Sequence, residues 1–85
     1  PDDGAASFVC RCRDRAALMG TLSEAMLDMG ADYSDGIRLA GSGYRLHISP
    51  LSGTSAVRVA VSSQDAEFAH RLAMSAKELI DALAL

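Results

Sequence analysis

Apolar residues recur along this chain at two different periods, and the changes from one to the other divide it into six elements. From Ser7 to Arg13 the alternation is strict. Phe8, Cys10 and Cys12 take one parity and Val9, Arg11 and Arg13 the other, as in a strand with one face against a core. The period then lengthens: Leu18, Leu22, Ala25 and Met29, flanked by Met19 and Met26, recur at helical spacing. Asp14 is placed to cap that helix and Gly30 to terminate it. Gly20 inside it costs on the order of 1 kcal/mol relative to alanine, so the helix depends on its packing.

Period two returns in three short runs. Ile37 and Leu39, then Tyr44, Leu46 and Ile48, then Val57, Val59 and Val61 share one parity. The opposite parity holds Arg38, Arg45, His47 and Arg58, which predicts a sheet with one apolar face and one basic face. The segment Ala31 to Asp35, closed by Gly36, is a turn rich in Asp and Ser. Gly41-Ser42-Gly43 suits a tight hairpin between the first two runs. Pro50 lacks an amide hydrogen and ends the second run, and Ser52-Gly53-Thr54 carries the chain round a wider hairpin into the third. A final helix is expected from about Gln64 to Leu83, opened by Ser62 and Asp65 as a capping box. Phe68, Ala69, Leu72, Ala73, Ala76, Leu79, Ile80 and Leu83 form its apolar face. Glu67 with Arg71, and Lys77 with Asp81, stand four residues apart on the wet side, where His70 and Met74 also fall.

Both helices and the sheet thus have one apolar face each. The packing that satisfies all three is an α+β fold in two layers: a four-stranded, mainly antiparallel sheet with two helices on one face, in the order βαβββα. The basic face is left open. Residues 1–6 are small, polar and acidic and are expected to be a frayed linker remnant ahead of a single domain at 7–85. The first residue is Pro1 and no secretory pattern follows it, which suggests a piece of a longer polypeptide.

Composition narrows the function. With 85 residues the chain is one small domain, and 49% apolar content without any run near the roughly 20 residues of a membrane span points to a soluble protein with no membrane partner. The formal charge of −3 argues against nucleic acid as a partner. The positive charge is nevertheless concentrated: Arg11, Arg13, Arg38, Arg45 and Arg58 fall in predicted strands, whereas the carboxylates fall outside them. Cys10 and Cys12 have no second pair to complete a metal site, and both histidines lie far along the chain. Buried, reduced thiols and a cytoplasmic location are expected. Motifs for a nucleophilic serine or a P-loop are absent, as is a carboxylate pair beside the hydroxyl loop, so this stretch by itself is not expected to be catalytic and no metal site is assigned to it. Binding remains. Hydroxyls, loop amides and guanidinium groups are all donors, and converging donors suit a phosphate.

The run Asp35-Gly36-Ile37-Arg38, the hairpin strand after it, Ser52-Gly53-Thr54, the strand Val57-Arg58-Val59-Ala60-Val61 and a closing helix with Ala69, Leu72 and Leu79-Ile80 together resemble the C-terminal domain of the alpha-D-phosphohexomutases. That family includes phosphomannomutase/phosphoglucomutase and phosphoglucosamine mutase. The resemblance implies a TATA-box-binding-protein-like fold and a lid that grips the phosphate of a hexose phosphate. In the family the signature loop reads Arg-Pro-Ser-Asn/Gly-Thr-Glu-Pro. Here it matches at Ser52, Gly53 and Thr54, while Pro50 and Leu51 stand where Arg-Pro would be and Ser55 and Ala56 where Glu-Pro would be. Arg45, His47 and Arg58 are the candidate cations to compensate for the missing arginine. By resemblance the partners are a phosphorylated hexose and the preceding domains of a parent enzyme, which would move a phosphoryl group between the 1- and 6-positions. The phosphoserine and Mg of that reaction would belong to those domains. Two alternatives remain open at this point: a lid kept as a structural or interaction domain after losing its ligand, and a nucleic-acid module using the basic sheet face.

Overall fold

The computed structural model describes residues 4–85. In chain order these form β1 (Gly4–Arg11), α1 (Arg15–Ala25), a 3-10 turn (Leu27–Met29), β2 (Ile37–Gly41), β3 (Tyr44–Pro50), β4 (Ala56–Ser63) and α2 (Ala66–Leu83). The strands make one sheet in the order β1-β4-β3-β2, every neighbouring pair antiparallel. The architecture is the α+β, βαβββα arrangement read from the periodicity.

Parity decides what is buried. Leu18 and Leu22 from α1, Ala69, Ala73 and Ile80 from α2, and Ile37, Ile48, Val57 and Val59 from the sheet form one cluster between the layers. Fully burying a side chain of the Val, Leu or Ile kind stabilises the fold by about 1.5–3 kcal/mol each, so this layer carries most of the favourable free energy. Cys10, only 2% exposed, lies in it as a free thiol, as does the half-buried Cys12 at its margin. Burial pushes the Cys10 thiol up, and the negative charge of Asp81 adds to the effect.

The ends of the elements differ from the sequence reading in instructive ways. β1 begins at Gly4, so residues 4–6 belong to the sheet and not to a linker; Gly4, Ala5 and Ala6 pair with Ser63, Ser62 and Val61. Nothing larger than glycine fits first, because a Cβ on Gly4 would lie 2.1 Å from Ala66 Cα at the start of α2. Residues 1–3 of the expected remnant lie outside the described residues. At its other end β1 stops at Arg11, leaving Arg13 outside the sheet, where its amide donates to the Leu85 carbonyl oxygen.

The first helix is shorter than its stripe suggests. Asp14 caps it as expected, Oδ1 accepting from the Ala17 amide at 3.0 Å. The chain tightens after Ala25 into the 3-10 turn that ends on left-handed Gly30. Three residues per turn instead of 3.6 rotates the phase. Met29 is therefore exposed, as is Ala25 at the end of α1, while Met26 packs against the core. In α2 the cap is Asp65, accepting from the Glu67 and Phe68 amides, because β4 runs on through Ser62 to Ser63. Leu79, expected on the apolar face, is 46% exposed, at the edge of the stripe centred on Ala69, Ala73 and Ile80. The wet-side pairs form, Lys77 to Asp81 at 2.8 Å and Arg71 to Glu67 at 3.7 Å. Among the described residues no helix is long and apolar enough to cross a membrane.

Candidate functional site

Two donor-rich regions lie at different places on the molecule. The first is the loop of residues 51–55 that joins β3 to β4. Gly53 takes φ +74, a conformation that favours glycine and turns the chain sharply between Ser52 and Thr54. Residues 52–55 are exposed. The loop is held from beneath: Arg15, in the first turn of α1, donates from Nη1 to the Leu51 carbonyl and, at 2.7 Å, to the Thr54 carbonyl. The Ser55 carbonyl accepts from the Cys12 amide at 3.0 Å, and the Leu51 amide donates to the Ala56 carbonyl. Carbonyl oxygens that would repel an anion are thus bonded to donors of β1's end and α1. The amides of Ser52 and Gly53 donate to no group among the described residues.

The second region is the open face of the sheet. Strand pairing sets its outward side chains in rows: Ala5, Ser62, Arg45 and Ala40; then Ser7, Ala60, His47 and Arg38; then Val9, Arg58 and Ser49. Except for Val9 and Ser49, these side chains line a shallow concavity of about 740 Å³, which Gly30 and Asp32 from the connection ahead of β2 also line. Carboxylates do reach its margin, contrary to the expected separation of charges. The connection after the 3-10 turn folds along the β2 edge, where Asp32 and Arg38 exchange backbone hydrogen bonds. Arg38 donates to Asp35 at 2.8 Å, and His47 Nε2 lies 2.9 Å from the Asp35 carbonyl oxygen. The Arg38 guanidinium beside Asp35 holds its carboxyl below the usual carboxylate range, and the Ser34 amide does the same for Asp32. Arg45 and Arg58 form no ion pair among the described residues.

The site residues read from the sequence are therefore divided. Ser52, Gly53 and Thr54 form the loop together, and Arg58, two residues from its end at Ala56, is roughly 7 Å away along β4. His47 lies farther up β3 and faces Asp35. Arg45 pairs with Ser62 at the opposite end of the strand, about 17 Å from Pro50 along β3. The cations that the fold does bring to the loop are Arg15 and Arg11, whose backbone pairs with Ala56. Neither is visible as a site residue in the sequence, because each reaches the loop only through long-range pairing or packing.

Both aromatic contacts lie away from the basic face. Tyr44 packs on Phe68, ring centroids 5.7 Å apart, and Phe8 on His70 at 5.9 Å. Among the described residues no group of three or more His, Cys, Asp or Glu side chains is placed to hold a metal ion. No family model matches the chain, and no curated protein matches it.

Proposed function

We propose that this chain is the lid domain of a phosphohexomutase, holding the substrate's phosphate at Ser52, Gly53 and Thr54 while other domains carry out the transfer between hexose 1-phosphate and hexose 6-phosphate. The observation that carries the reading is the Arg15 clasp. A guanidinium bonded to the Leu51 and Thr54 carbonyls cancels the negative ends of those dipoles and adds a full positive charge under exposed hydroxyls. That charge supports phosphate binding in a loop whose signature arginine is replaced by Pro50. Arg11, whose backbone pairs with Ala56 at the end of the loop, adds to the same potential.

In this reading the chain's residues bind and orient. Ser52 and Thr54 hydroxyls and the free amides of Ser52 and Gly53 donate to phosphate oxygens, and the lid's closure keeps water from the sugar. The phosphoserine and Mg of the reaction reside in the preceding domains.

The test is calorimetric titration of the intact polypeptide with a hexose 6-phosphate. Thr54→Ala is expected to weaken binding about tenfold or more, the consequence of losing a hydrogen bond to a charged group. Unchanged affinity rules out the loop as the phosphate site. Pro50 favours a second reading, a lid that has lost its ligand and persists as a structural domain. Under that reading the intact polypeptide neither binds hexose phosphates nor turns them over.

A further inference from the structure

The open face of the sheet has a geometry that the loop does not use. Arg45 and Arg58 stand on adjacent strands, displaced by four residues along them, which sets their Cα atoms roughly 14 Å apart. Between them lie Ala60, half-buried, and His47, with the Ser7 and Ser62 hydroxyls beside Ala60 on the same face. Ala60, Ser7 and Ser62 line the concavity between the two arginines, and Asp32 lines it as well. Arg38 is committed to Asp35, but the two flanking arginines are in no ion pair among the described residues.

We propose that this face is a second anion site, separate from the 51–55 loop, which takes a short chain of linked phosphates laid over Ala60 with its ends on Arg45 and Arg58. Long flexible guanidinium arms at either end and hydroxyls between them match an elongated, multiply charged ligand better than a single phosphate. Guanidinium and phosphate oxygens pair in bidentate fashion, so each arginine fixes one end. A stacked nucleic acid is disfavoured because Phe8 and Tyr44 face the other layer.

Titration of the chain with inorganic tripolyphosphate at about 0.15 M salt tests this, with a nucleoside triphosphate in a parallel arm. One ligand per chain is expected, bound about tenfold to a hundredfold more weakly by Arg45→Ala and by Arg58→Ala. Arg71→Ala, the same charge change on the exposed side of α2, is expected to leave the affinity within about twofold; an equal loss there means diffuse attraction and overturns the site. Circular dichroism of each variant separates lost binding from lost folding. A nucleoside triphosphate that binds more tightly than tripolyphosphate assigns the phosphate chain to a nucleotide; equal affinities assign it to a free phosphate chain. Thr54→Ala is expected to retain tripolyphosphate affinity, and if it abolishes binding the anion sits at the loop and this second site fails while the lid reading stands. Single-stranded RNA that displaces tripolyphosphate at lower concentration likewise overturns the proposal.

Discussion

Arg15 in the first turn of α1 and Thr54 in the β3–β4 loop, 39 residues apart in sequence, are joined by a 2.7 Å hydrogen bond from Nη1 to the backbone carbonyl. The same nitrogen also holds Leu51. One half-buried side chain therefore ties the helical layer to the loop that carries the hydroxyls, and the loop's shape depends on it.

Arg15→Ala is expected to loosen that loop without unfolding the domain. The bonds are partly exposed, so the expected loss is about 1 kcal/mol, or roughly 4–8 °C in melting temperature for a domain of this size. Amide exchange at residues 52–55 should quicken more than exchange in the strands. Equal protection in the variant and the parent chain argues that the clasp does not hold the loop in solution.

Two glycines should respond to alanine in opposite directions. Gly36 has φ +69, and a Cβ there would sit 2.4 Å from the Ile48 carbonyl oxygen, so Gly36→Ala is expected to cost roughly 2 kcal/mol or more. Gly20 lies in α1 with nothing within 4 Å of an added Cβ, so Gly20→Ala should stabilise by about 0.5–1 kcal/mol. Urea unfolding of both variants measures the pair, and a destabilised Gly20→Ala would contradict the helix packing described.

Ile48 and Val59 are paired on adjacent strands and wholly buried. Truncating Ile48 to alanine is expected to cost about 2–5 kcal/mol, against about 0.5–1.5 kcal/mol for Ile48→Val. In a domain with only a few kcal/mol of margin, the larger change should leave much of the chain unfolded at 25 °C by circular dichroism. A folded and stable Ile48→Ala would place this residue outside the core.

The two thiols should differ in reactivity. Cys10 is buried and its thiol is pushed up first by desolvation and then by Asp81, so alkylation should reach Cys12 well before Cys10. The sign for stability follows from linkage. A folded-state thiol that holds its proton more tightly than the unfolded one contributes fully below the unfolded value of about 8.5, and that contribution is lost as pH rises above it. Unfolding midpoints measured from about pH 7 to about pH 10 should therefore fall at the alkaline end, and fall less in Cys10→Ala or Cys10→Val compared with their own values at pH 7.

Asp35 gives the opposite sign. Its carboxyl is held low by the Arg38 hydrogen bond, so what it contributes is present above the unfolded carboxylate value near 3.9 and is lost as pH falls through the lower folded one. Acid titration followed by NMR of the Asp35 carboxyl and the Arg38 guanidinium should show their tie loosening only below about pH 4. Loosening already at pH 6 would mean that the Arg38 to Asp35 tie does not form.

Much of the architecture was legible because strands of period two and helices of period 3.6 leave their mark locally. The parity of Ile37, Leu46 and Val59 fixed which face is buried, and Asp14 and Gly30 marked the bounds of the first helical segment. The ends that slipped did so for tertiary reasons. Gly4 to Ala6 carry no strong apolar signal, yet β4 supplies their backbone partners and Ala66 of α2 leaves no room for a side chain at Gly4. Ser62 reads as a cap, but β1 and β3 hold it in a strand.

By itself, then, the chain determined the number and kind of its elements, the buried face and the basic composition of the other, since each of these follows from the spacing of neighbouring residues. Only the tertiary structure decided which cations meet which loop. Strand order and register put Arg45 at the far end from Ser52, and helix packing delivered Arg15 to Leu51 and Thr54. Contacts of that kind join residues dozens of positions apart, and no local pattern encodes the distance at which two elements will meet.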